Sequence, residues 1–80
     1  MLILDIITPE KKLFSGPIKI VKLPGTMGAF EIMENHAAII STLAKGTVRV
    51  KEFNGTVTNF EIDGGLVEVS DNEVKVLVEM

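Results

Sequence analysis

The stretch Glu73-Val74-Lys75-Val76-Leu77-Val78-Glu79 carries the strongest structural signal in the chain, because apolar and charged residues alternate along it. Residues two apart in a β-strand point to the same side. The three valines therefore predict a face turned toward a core, and Glu73, Lys75 and Glu79 predict a solvated face. The turn-forming pair Asp71-Asn72 directly precedes this stretch, as expected for the start of a strand.

Working back toward the N-terminus, the same signals recur. Ile and Val each occur nine times and Thr six times, whereas Ala occurs four times, and β-branched side chains favour strands over helices. Turn-forming residues recur at intervals of about eight to twelve residues, which is typical of a β-sandwich or barrel. These turn signals are Ser15-Gly16-Pro17, Pro24-Gly25, Glu34-Asn35, Lys45-Gly46, Asn54-Gly55, Asp63-Gly64-Gly65 and Asp71-Asn72. The predicted class is all-β.

Four local features follow from the pattern. Asn54-Gly55 predicts a two-residue hairpin turn, since both residues tolerate positive φ. Within residues 18–23 the apolar positions shift from even to odd numbers, which predicts a bulge near Ile20. Residues 2–8 are apolar on both faces except for Asp5 and predict a central strand, covered on both sides or lying under a partner. Residues 37–43 fit a helix or a strand, and the surrounding strands favour a strand.

Composition limits the classes of function. Eighty residues predict one domain spanning residues 1–80, and 46% hydrophobic with 24% charged residues excludes disorder. The net charge of −3 and the scattered basic residues argue against nucleic-acid binding. The absence of Cys excludes disulfides and thiolate zinc sites. The apolar N-terminus lacks a basic start and contains Asp5, so it predicts neither a signal peptide nor a membrane span.

Few residues suggest catalysis or cofactor binding. His36 is the only histidine, which excludes a histidine-based triad combined with a histidine metal cluster. Glu34 and His36 share a face if extended and would hold a metal weakly, but a structural or interface role suits a loop histidine better. The remaining carboxylates fall mostly at solvated positions. We therefore expect no catalytic residue, no metal and no cofactor.

The segment Gly25-Thr26-Met27-Gly28 is glycine-rich but does not continue as a phosphate-binding loop. Its glycines are expected to supply turn conformations. Large apolar residues at an exposed turn commonly mark a partner surface. Met27, Phe30 and Glu31 are accordingly candidates for partner binding, with inward packing as the alternative for the two apolar side chains.

Six segments in succession give the chain a family resemblance. They are DIITPEKKLFSG (residues 5–16), LPGTMGAFEI (23–32), HA (36–37), STLAKGTVRV (41–50), GGLVEV (64–69) and NEVKVL (72–77). Together they strongly resemble the N-terminal domain of the ATP synthase epsilon subunit. The resemblance covers essentially the whole sequence, although no single motif is decisive.

The resemblance implies a flattened ten-stranded β-sandwich in the central stalk of an F-type ATP synthase. It implies a non-catalytic rotor subunit that links the gamma subunit to the ring of c subunits and couples ion flow to ATP synthesis. It also implies a peripheral position on the cytoplasmic face of the bacterial plasma membrane. The ring-facing end implied by the family comprises Gly25, Thr26, Met27, Gly28, Ala29, Phe30, Glu31 and, in a nearby loop, His36.

The sequence also departs from the family. Epsilon subunits usually continue into a two-helix hairpin, which is not part of this sequence, so no inhibitory or ATP-binding property is inferred. Ala29 stands where the family often has an acidic residue, and Glu31 stands two positions later, on the same side of an extended strand. Two alternatives to the stalk function are a biotinyl or lipoyl carrier, which needs a lysine at a hairpin tip such as Asn54-Gly55, and a cupin-like metal enzyme using His36.

Overall fold

The computed structural model describes all 80 residues and consists of nine β-strands. The strands are β1 (Leu2–Ile7), β2 (Lys12–Ile18), β3 (Ile20–Gly25), β4 (Gly28–Ile32), β5 (Ile39–Leu43), β6 (Gly46–Lys51), β7 (Val57–Ile62), β8 (Gly64–Ser70) and β9 (Glu73–Glu79). The all-β prediction is confirmed, and the expected count of ten strands is wrong. Residues 33–38 form the longest segment without a strand and hold only a turn.

The nine strands form one hydrogen-bonded sheet that folds back on itself as a sandwich. Their order is β2-β1-β9-β8-β5-β3-β6-β7, with β4 on the free side of β3. Strands β5 and β3 pair only at Leu43 and Gly25, so the sheet divides there into two layers. At the opposite ends of the order, Phe14 of β2 and Phe60 of β7 meet edge-to-face with ring centroids 6.4 Å apart. This aromatic contact joins the two outermost strands and closes the sandwich.

The space between the layers is entirely apolar. Sixteen side chains are buried, all of them hydrophobic, and no polar or charged residue is buried. Val74, Val76 and Val78 of β9 are at most 2% exposed, which confirms the alternation predicted for this strand. With no buried polar group to satisfy, the core is stabilised by apolar burial and close packing alone.

Strand β1 lies between β2 and the parallel strand β9, as predicted for a central strand. Leu2, Leu4 and Ile6 point into the core and are at most 1% exposed. Ile3, Asp5 and Ile7 point to the outside of the layer and are half-buried. The outside of β1 is therefore a sheet surface of two isoleucines and one aspartate that no second layer of this chain covers.

The turn chemistry differs from the prediction. The β6–β7 connection has five residues, 52–56, in which the Gly55 amide donates to the Glu52 carbonyl over 3.0 Å. Gly55 has φ of 89°, as in a type I turn closed by a glycine in the left-handed region. The two-residue hairpin turn lies instead at Asp71-Asn72, whose φ angles are 50° and 62°. Short polar side chains tolerate this conformation almost as glycine does.

Two further local predictions are corrected by the topology. Ser15-Gly16-Pro17 lies within β2 rather than in a turn, and an edge strand tolerates the missing amide hydrogen of proline. The phase change predicted as a bulge near Ile20 is a break at Lys19, where the chain leaves one layer and enters the other. The Lys19 amide donates to the Lys51 carbonyl over 2.8 Å and fixes the start of β3 beside β6.

Candidate partner-binding surfaces

The turn between β3 and β4 is held against β5 by several hydrogen bonds. The Thr26 amide donates to the Thr42 carbonyl over 3.1 Å, and the two threonine hydroxyl groups lie 2.8 Å apart. The Ala44 amide donates to the Pro24 carbonyl over 2.7 Å. Met27, at the tip of this turn, is 99% exposed. A fixed backbone therefore presents a fully solvated apolar side chain.

Gly25 is needed for the close packing of this turn. A Cβ atom there would lie 2.6 Å from the Gly28 carbonyl oxygen and 2.7 Å from the Phe30 ring. Phe30 is half-buried and packs against the core. Of the two apolar candidates, Phe30 therefore takes the inward alternative, and Met27 remains on the surface.

Strand β4 is a free edge, since it pairs only with β3. Four exposed residues follow one another at every second position from the turn along this edge: Met27, Ala29, Glu31 and Met33. We call this set the β4 strip. The pairing of β4 with β3 is regular, with Ala29 opposite Pro24 and Glu31 opposite Lys22. Because Ala29 and Glu31 are two residues apart in this strand, they lie on the same side of it, as predicted.

His36 lies beyond the far end of β4 and not beside Met27. The five residues of β4 separate the two, a length of roughly 16 Å at about 3.3 Å per residue. His36 Nδ1 is 2.7 Å from the Ala37 carbonyl oxygen. The preceding residue, Asn35, has φ of 67° and donates its amide to Asn72 Oδ1 over 2.6 Å. This loop is therefore tied to the β8–β9 turn, and the β4 strip connects it to Met27.

The geometry gives little support to the two alternative functions, a metal enzyme and a biotinyl or lipoyl carrier. The Glu34 carboxylate pairs with the ammonium group of Met1, and no group of three or more His, Cys, Asp or Glu side chains lies close enough to hold a metal ion. The β6–β7 turn, the predicted tip for a carrier, holds Phe53 and Asn54 and no lysine. None of the elements is a helix of the length and apolarity needed to cross a membrane.

A second exposed surface lies outside the residues predicted to bind a partner. Ile7, Leu77 and Leu66 lie in one row on the outside of β1, β9 and β8, because Ile7 is opposite Leu77 and Leu77 is opposite Leu66. Ile40 of β5 lies diagonally next to Leu66. The exposures are 70% for Ile40, 49% for Leu77 and 37% for Leu66. We call these four residues the apolar face.

A shallow depression extends the apolar face to the β1–β2 turn and is lined in part by Pro9, Thr42 and Gly65. A contiguous exposed apolar patch of this kind marks a binding surface on a soluble protein more often than isolated apolar residues do. The available signal in the sequence was Leu77, which interrupts the charged side of β9. Its neighbour Leu66 is eleven positions away, and only the pairing of β8 with β9 brings them together.

A comparison with protein families identifies the family to which the sandwich belongs. The family described as "ATP synthase, Delta/Epsilon chain, beta-sandwich domain" matches residues 1–80. The chain belongs to this family. Epsilon chains are non-catalytic subunits of ATP synthase, which confirms the expectation that this domain is not an enzyme by itself.

Individual epsilon chains are similar over nearly the whole domain. The ATP synthase epsilon chain of Chlorobium limicola is 42% identical over 95% of this chain and 86% of its own length. That of Campylobacter fetus is 41% identical over 95% of this chain and 59% of its own length. The match with the latter is therefore confined to somewhat more than half of that relative.

Two solved structures share the epsilon-type fold. A chain in the cryo-EM structure of the Euglena gracilis mitochondrial ATP synthase, OSCP/F1/c-ring, superposes with a TM-score of 0.92 at 20% identity. A chain of the Tetrahymena thermophila mitochondrial ATP synthase central stalk and c-ring superposes with a TM-score of 0.84, also at 20% identity. Both comparisons cover 99% of this chain, and they cover 51% and 63% of the respective solved chains.

Proposed function

We propose that this domain is a non-catalytic part of the central stalk of an F-type ATP synthase, where it links the gamma subunit to the c ring. In this position it couples ion flow to ATP synthesis. The observation that carries the proposal is the presence of two separate exposed surfaces on one closed sandwich, the apolar face and the β4 strip. Membership in the delta/epsilon family supports it, as does the likeness to chains of complexes that contain a c-ring.

The apolar face is the proposed contact with gamma. It lies on the outside of the layer formed by β1, β9, β8 and β5, where Ile40, Leu66 and Leu77 would lose their solvent contact on binding. The molecule measures 27 × 23 × 20 Å. One broad side of such a molecule is of the same order as the roughly 800 Å² that each partner buries in a stable protein pair.

The β4 strip is the proposed contact with the c ring. It is narrow, and its exposed groups are two methionines, one alanine and one glutamate. A contact of this size binds weakly by itself. Attachment to gamma would hold the strip at the ring at a high effective concentration. The hydrogen bonds between Thr26 and Thr42 help because they fix the turn before binding.

The domain would link gamma to the c ring mechanically, by transmitting force through its packed strands. Its two layers share an apolar core, and their outermost strands are joined by the Phe14–Phe60 contact. A close-packed interior deforms little and transmits strain. The proposed position is peripheral to the membrane, at the cytoplasmic face of the bacterial plasma membrane, with attachment through the complex.

Charge reversal at Glu31 combined with Met27→Ala is expected to weaken attachment to the c ring and to lower coupled ATP synthesis severalfold. Both side chains are exposed and contribute nothing to the core, so the fold and the binding of gamma should not change. The measurement is ion-driven ATP synthesis in reconstituted vesicles, together with the fraction of c subunit that co-purifies with the rotor.

A matched control carries Glu52→Lys and Phe53→Ala in the β6–β7 turn. Phe53 is 63% exposed, and the β6–β7 turn lies at the end of β3 opposite the turn that holds Met27. The control should support normal synthesis. Normal synthesis and normal c-subunit recovery by the Glu31→Lys, Met27→Ala variant would contradict the placement of the ring contact.

A further inference from the structure

Asp5 is the only charged residue of β1, and its carboxylate is incompletely satisfied by the groups of this chain. It points to the outside of the layer between Ile3 and Ile7, and it is 24% exposed. Its Oδ1 atom is buried and accepts no hydrogen bond. The nearest cation is Lys12 Nζ at 3.7 Å, beyond hydrogen-bond distance. A buried carboxylate oxygen without a donor costs free energy in the isolated molecule.

An apolar residue at position 5 would be expected if folding alone mattered. The other two outward positions of β1 are isoleucines, and residues 2–7 are otherwise entirely apolar. The contact with Lys12 does not change this, because Lys12 is 55% exposed and a solvent-exposed ion pair contributes little to stability. Asp5 therefore suits a bound state better than the free chain.

The position of Asp5 relates it to the apolar face. It is two residues before Ile7 on the same side of β1, so it adjoins the row that Ile7 forms with Leu77 and Leu66. Asp5 itself lies opposite Lys75 of β9, which in turn lies opposite Glu68 of β8. A partner that covers the apolar face would also cover Asp5 and remove the remaining water from its carboxylate.

The charged residues on this side of the sandwich are mostly negative, as Asp5 is. Around the apolar face, four carboxylates accompany two ammonium groups: Asp5, Glu68, Glu73 and Glu79 with Lys12 and Lys75. Complementary interfaces place opposite charges against each other. The partner that fits this side therefore combines apolar side chains with an excess of positive charge.

Resting on the proposed function, we infer that Asp5 is the polar anchor of the gamma contact and accepts hydrogen bonds from a guanidinium group of gamma. A guanidinium is favoured over an ammonium because its planar donors match a carboxylate and it is less strongly hydrated. The contact would be made through the part of the carboxylate that stays accessible, because the chain itself buries Oδ1. It would also fix the register of gamma on a patch whose apolar contacts are not directional.

Asp5→Asn tests this inference, since it keeps the shape of the side chain and removes its charge. Affinity of the full chain for the purified gamma subunit is expected to fall at least tenfold, as for the loss of a hydrogen bond to a charged group. The dependence of the remaining affinity on salt concentration should also become weaker. The melting temperature of the free chain should stay unchanged, which a purely structural role of Asp5 would not predict.

Two further variants sharpen the experiment. Glu61→Gln makes the same chemical change at an exposed position of β7, in the other layer and away from the apolar face, and it should alter gamma affinity less than twofold. Asp5→Leu should leave the melting temperature of the free chain equal or higher, because it continues the apolar side of β1, and should bind gamma more weakly than Asp5→Asn.

The outcomes separate this inference from the proposed function. If Asp5→Asn binds gamma within twofold of the unsubstituted chain, or if it melts well below it, the anchor role is overturned and the apolar contact with gamma stands. If the unsubstituted chain does not bind gamma, the proposed function itself is overturned, and with it the inference. Tight binding by Asp5→Leu would equally exclude a guanidinium partner at this position.

Discussion

Replacing Leu66 by Lys and Leu77 by Glu in one variant is expected to abolish co-purification of the chain with gamma, with a loss of affinity of at least about a hundredfold. The two residues lie opposite each other on β8 and β9. Lys and Glu at these positions can pair across the strands, so the hairpin keeps a favourable contact and the net charge stays at −3. The apolar face loses two of its four members.

The free variant should still fold, because Leu66 and Leu77 are 37% and 49% exposed and no buried core residue is changed. A matched control is Phe53→Lys with Val57→Glu, since these residues are 63% and 39% exposed on the other layer. The control should co-purify normally. Equal recovery of gamma with both variants would show that gamma binds elsewhere.

Leu4→Ala is expected to cost about 2–5 kcal/mol of the free energy of unfolding, as is usual for truncation of a fully buried leucine. Leu4 is 0% exposed and belongs to β1, which pairs with strands on both sides. A domain of 80 residues has a total stability of roughly 4–12 kcal/mol. A large part of the stability would be lost, and the midpoint of thermal unfolding should fall by about 10 °C or more.

Denaturant and thermal unfolding followed by circular dichroism measure this loss. Leu66→Ala provides the comparison, because Leu66 is in a neighbouring part of the same layer but half-exposed. It should cost less than about 1 kcal/mol. Equal costs for the two substitutions would contradict a stability that depends on the apolar core. The assembled complex should partly restore the Leu4→Ala variant, since a partner that binds only the folded state stabilises it.

The fold class was predictable because alternation is a local property of each strand. Val74, Val76 and Val78 share one side through backbone geometry alone, and their burial follows. The turns were less predictable because several polar pairs tolerate positive φ. Asp71-Asn72 forms the two-residue hairpin turn, whereas Asn54-Gly55 is part of a five-residue connection. The difference depends on strand register, which is set by tertiary pairing.

The candidate surfaces were predictable to different degrees. Met27 and Glu31 are predicted from a turn signal, which is a local property of the sequence. His36 was expected near them, but the length of β4 lies between. The apolar face could not be derived, because it needs the pairing of β1, β9, β8 and β5 to bring Ile7, Leu77 and Leu66 into one row. Long-range pairing of this kind leaves little trace in the spacing of residues.

The central claim is that two surfaces of this sandwich hold two different partners at the same time. Site-specific cross-linking in the assembled synthase tests it, since the chain contains no cysteine and a single one can carry a photoreactive group. With Leu77→Cys the probe should form its main adduct with gamma, and with Met27→Cys with the c subunit. Exchange of these products, or the absence of both from intact complexes, would contradict the account.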